Sequence, residues 1–123
     1  GYDTVMLGQA APLAIDVDAL QQRFDRTDHA RVNAALCDLG LGSAVDLLST
    51  YAGRFSDLKT WLAHAELNRD RNLRLQYLAG MALNISMEGT IYNQMLQHRK
   101  FPRNLFVGSE ERVRSLMYSI GAM

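Results

Sequence analysis

The chain has 123 residues, 48% of them hydrophobic, with 13 basic side chains balanced by 13 acidic ones. That is enough apolar material for one modest core, and a formal net charge of zero lacks the basic excess by which nucleic-acid binders hold phosphate. The single cysteine, Cys37, excludes an internal disulfide, and the longest apolar run, residues 77–83, is far below the ~18 residues of a membrane span.

The opening, Tyr2-Asp3-Thr4-Val5-Met6-Leu7-Gly8, is strand-like and has neither a basic leader nor an initiating Met. A lone strand leaves its backbone groups unsatisfied. The expectation is therefore a piece of a longer protein in which this strand, residues 2–8, joins a sheet. Pro12 marks a loop, and Asp16 is placed to cap a short helix reaching Phe24, with Leu20 and Phe24 on one face. Thr27 or Asp28 caps the next helix, whose stripe is Val32, Leu36 and Leu39 and whose stop is Gly40. Ser43 and Asp46 have capping-box spacing with Asp in the usual Glu place, opening a helix with Leu47, Leu48 and Tyr51 that ends at Gly53. Ser56 caps a further helix with Leu58, Trp61, Leu62 and Ala65 inward.

Residues 68–72 are polar and predict a turn, after which Asp70 caps a long segment, residues 73–86, with Leu78, Met81, Ala82 and Ile85 on one stripe. Gly89 interrupts the pattern, a helix follows over residues 90–99, and Pro102 ends it. Ser109 caps the last helix, which carries Val113, Leu116, Met117 and Ile120 on one face and Glu110 and Glu111 in its first turn. These elements predict a mainly α fold, a single helical domain over residues 1–123 of about six helices with one short N-terminal strand. The pair over residues 73–102 has the length of one helical repeat, but it does not fit the tetratricopeptide pattern and has no second copy, which argues against a repeat array.

Residues that could carry chemistry have structural readings beside them. His29, His64 and His98 lack the short spacings of metal ligands and read as ordinary imidazoles. Cys37 lies beside Leu36 and Leu39 inside a helix and reads as a small buried hydrophobe. Gly40-Leu41-Gly42-Ser43 lacks the third glycine and the Lys-Ser/Thr ending of a phosphate loop, and reads as helix stop, loop and N-cap. The densest polar cluster is Asn68, Arg69, Asp70, Arg71 and Arg74. Arginines can clamp a carboxylate or phosphate bidentately, although a solvated turn with Arg–Asp pairs explains them as well. Charge is also uneven along the chain, since residues 1–50 hold seven Asp and three Arg, whereas residues 51–123 hold ten Lys/Arg and six Asp/Glu. Attraction between the halves within one fold accounts for this, and an acidic partner for the later half is the alternative.

The run Ala65-Glu66-Leu67-Asn68-Arg69-Asp70-Arg71-Asn72-Leu73-Arg74-Leu75-Gln76-Tyr77 resembles a segment of the bacterial spermidine synthase-like proteins, homologues of the polyamine aminopropyltransferases. There it reads roughly Leu-Asn-Thr-Asp-Asp-x-Pro-x-Leu-Glu-Tyr. Asn68, Asp70, Leu75 and Tyr77 match, while Arg69, Arg71 and Gln76 depart from Thr, Asp and Glu. Residues 2–8 are similar to a late strand of that family's catalytic sheet, and residues 39–48 to the helix-turn before the Asn-Thr-Asp run. The resemblance spans residues 2 to about 80. It implies a region that follows a Rossmann-like core binding decarboxylated S-adenosylmethionine, in which an acidic residue deprotonates the attacking amine. No position here matches the glycine-rich cofactor loop or that acidic motif, so no catalytic residue and no cofactor is assigned to this chain.

The resulting expectation is an accessory C-terminal domain that supports or caps an upstream transferase domain and is inactive alone. Asn68, Arg69, Asp70, Arg71, Arg74 and Tyr77 are its candidate ligand or partner residues. A homodimer formed by strand addition is possible on the same reading. Contact with nucleic acid or membrane is not expected of this segment. Its expected location is cytoplasmic, with any membrane segments upstream in the parent. The alternative is an independent helical protein-interaction module.

Overall fold

The computed structural model of the chain describes residues 4–69, 71–73, 76–78 and 85–121. Within them the fold is mainly helical, with one short two-stranded parallel sheet. By contacts the chain divides into two units, residues 6–52 with 100–123, and residues 1–5 with 53–99.

The first unit begins with β1, Ile15–Asp16, which runs straight into α1, Val17–Phe24. Asp16 is the predicted cap, and its carboxylate accepts from the backbone N–H groups of Asp18 and Ala19, satisfying donors that a helix start leaves open. A 3-10 turn, Thr27–His29, leads into α2, Ala30–Cys37. Gly40 stops this region with φ +76°. Its N–H donates to Cys37 O while the Leu41 N–H reaches back to Leu36 O, the paired bonds of a Schellman ending.

α3, Ala44–Ser49, opens on Ser43 as expected. Ser43 Oγ accepts from the Asp46 N–H at 3.1 Å and donates to the Asp46 carboxylate at 2.7 Å. With the shorter Asp in the Glu position, the carboxylate meets the Ser43 hydroxyl. The first N–H of α3, on Ala44, donates to Gln21 Oε1 and ties the helix to α1.

The N-terminal strand of the fold is β1. The described part of the expected strand, residues 4–8, has no regular secondary structure and is exposed. β1 pairs in parallel with Phe106–Val107, a strand missed in the sequence because two residues carry no readable alternation. Core residues Val17, Ala44, Phe106, Leu116 and Ile120 pack around this pair, with Tyr51 edge-on to Phe106. Of the predicted stripe on α2, Leu36 is half-buried but Val32 and Leu39 are 62% and 73% exposed. Cys37 is exposed as well, which corrects its reading as a buried hydrophobe. The principal contact of α2 among the described residues is with the 3-10 turn before it, and Val32 stays exposed on its surface.

In the second unit α4, Phe55–Leu58, begins on Arg54, so Ser56 lies inside the helix instead of capping it. Leu58, Trp61 and Leu62 are half-buried, whereas Ala65 is exposed. Within residues 73–86 the helical stretch 76–78 is described, while Met81 and Ala82 of the predicted stripe lie outside the described residues. α5, Glu88–Leu96, takes Gly89 into its first turn, so this glycine does not break the helix. A first turn has few intrahelical donors to lose, and glycine there is tolerated.

The chain returns to the first unit through buried Pro102, and Phe106–Val107 forms β2. α6, Glu110–Ile120, follows Ser109 and ends on Gly121, at φ +66°. Its buried face is the predicted one, with Leu116 and Ile120 buried and Val113 and Met117 half-buried. No helix among the described residues is long and apolar enough to cross a membrane.

Candidate functional site

Two places concentrate polar side chains. The first is the turn singled out by the sequence. It forms within the described residues, and Asn72 organises it: the Arg69 N–H donates to Asn72 Oδ1 at 2.9 Å, and Asn72 Nδ2 donates to Leu67 O at 3.0 Å. Backbone N–H groups of Asn72 and Leu73 both donate to Arg69 O. Asn72 was not among the candidate residues, although asparagine in a polar stretch is a standard turn former. Leu73 closes the turn at φ +41°, a conformation unusual for a branched side chain. Asn68, Arg69, Arg71 and Tyr77 are all exposed, Tyr77 by 70%. Asp70 and Arg74 lie outside the described residues. The structure thus places the two described arginines on an exposed turn, where their guanidinium groups are accessible to an anionic group.

The second place was not legible in the sequence. β1 and β2 are parallel and each leads directly into a helix, so the starts of α1 and α6 lie at the same end of the sheet. Asp18, in the first turn of α1, accepts hydrogen bonds from both the backbone N–H and the hydroxyl of Ser109, and its carboxylate lies 2.8 Å from Arg112 Nε. These hydrogen bonds from Ser109, aided by the Arg112 charge, hold the Asp18 carboxyl below the ordinary carboxylate range against a smaller desolvation effect. Ser109 is the predicted N-cap residue, yet its hydroxyl does not cap its own helix. It donates instead to Asp18, 91 residues away, which also accepts from the backbone N–H of Ser109. Gly108 makes the approach possible, for a Cβ there would lie 2.8 Å from Asp18 Oδ2, and its φ is +140°. The cluster joins two helix starts through one carboxylate.

The remaining candidates have local partners or stand alone. His29 Nδ1 lies 2.9 Å from Arg23 O, His98 stacks obliquely on Trp61 with centroids 6.2 Å apart, and His64 is exposed. Among the described residues no three His, Cys, Asp or Glu side chains converge as a metal site would require. Gly40 and Ser43 serve as helix stop and N-cap, as their structural reading requires. Arg26 and Asp28 form an exposed pair, in which the guanidinium lowers the Asp28 carboxyl. No protein-family model, curated protein or solved structure matches the chain.

Proposed function

We propose that the chain is an accessory helical domain that works by packing against a larger protein, and that this protein is the aminopropyltransferase core of a spermidine synthase-like parent. On this reading it supports or caps the core in the cytoplasm, supplies no cofactor of its own, and contacts protein and not nucleic acid. The observation that carries the packing role is the state of residues 53–99. None of the described residues in that stretch is buried, and Phe55, Leu67, Tyr77, Ile85, Met87 and Ile91 are between 47% and 73% exposed. On this proposal these exposed apolar side chains form the surface that the partner covers. The identity of the partner rests on the sequence resemblance of residues 2 to about 80. The same exposed side chains favour, as a second reading, an independent interaction module with a different protein partner.

Two measurements test the proposal. The reading frame upstream of Gly1 should encode a glycine-rich strand–turn–helix followed by an acidic amine-binding motif, and an unrelated upstream sequence would remove the aminopropyltransferase parent. With that core supplied in trans, hydrogen exchange at the amides of Phe55, Leu67 and Ile91 should slow. Unchanged exchange in the presence of the core would overturn the packing role and leave the interaction module with another partner.

A further inference from the structure

We draw no further inference here: the strongest candidate, the outer edge of β1 with the shallow depression beside it lined by Ala14, Ile15, Asp16, Ala19, Leu20 and Arg23, is a sheet edge without a pairing strand among the described residues, and nothing in the structure shows what covers it.

Discussion

Asp18 and Gly108 depend on each other. The carboxylate of Asp18 reaches the start of α6 because position 108 has no Cβ, and a methyl group there would meet Asp18 Oδ2 at 2.8 Å. A Gly108→Ala substitution also forces an L-residue to φ +140°, so it should destabilise the fold by about 1–3 kcal/mol. Urea denaturation checks this. Combining it with Asp18→Ala should recover the part due to the clash and leave the part due to φ. The acid limb of stability is a separate test. Because the Asp18 carboxyl is lowered in the folded state, its contribution is fully present above the ordinary carboxylate range of about 4 and is lost as pH falls through the folded value. Asp18→Asn should therefore be less stable than the parent chain at pH 7. The gap should narrow as pH falls below about 4, which denaturation midpoints taken from pH 7 downward would show. A constant gap across that range would remove the carboxylate charge as the cause.

Among the elements, several features encoded by neighbouring residues were legible, although Ser56 does not cap its helix and Gly89 does not break its own. Asp16, Gly40 and Ser43 act where the sequence placed them, because a cap or a left-handed stop is completed within a few residues. Replacing Ser43 with Ala removes the acceptor for the Asp46 N–H and should cost about 1 kcal/mol. Gly40→Ala should cost a similar amount, about 1 kcal/mol, because Gly40 sits at φ +76°. Denaturant midpoints at constant m-value would check both. Features completed by distant residues were not legible. Ser109 is correctly an N-cap position, but its partner is Asp18. β2 is a strand because Ile15 and Asp16 lie beside Phe106 and Val107. Val32 and Leu36 share a helical face as predicted, whereas Leu39 falls in the turn after Cys37, and periodicity states which residues share a face and not where the helix stops or whether a neighbour covers it. The candidate turn is local in the same way, since its polar sequence forms it through Asn72 and the backbone of Arg69.

For the whole molecule, the uneven charge along the sequence is mostly resolved by folding. Residues 6–52 carry six Asp against three Arg, and they share a unit with residues 100–123, which carry four Lys/Arg against two Glu. The Asp18–Arg112 pair joins these two stretches. The apolar core is unevenly distributed as well. Val17, Ala44, Phe106, Leu116 and Ile120 form it in the first unit, whereas none of the described residues 53–99 is buried. Stability should follow that distribution. Leu116 is fully buried, so Leu116→Ala should destabilise the first unit by about 2–5 kcal/mol through lost burial and the cavity left behind. Trp61, the only tryptophan, is half-buried against His98 and reports on the second unit. In urea its fluorescence should change at a lower concentration than the far-UV circular dichroism, because few buried apolar contacts mean a low free energy of local opening. Leu116→Ala should then move the circular-dichroism midpoint toward the fluorescence midpoint and leave the latter where it was. Coincident midpoints in the parent chain, shifting together in the variant, would instead mean one cooperative transition. Residues 53–99 would then be stabilised within the chain itself, and the proposal of a covering partner for them would fall away.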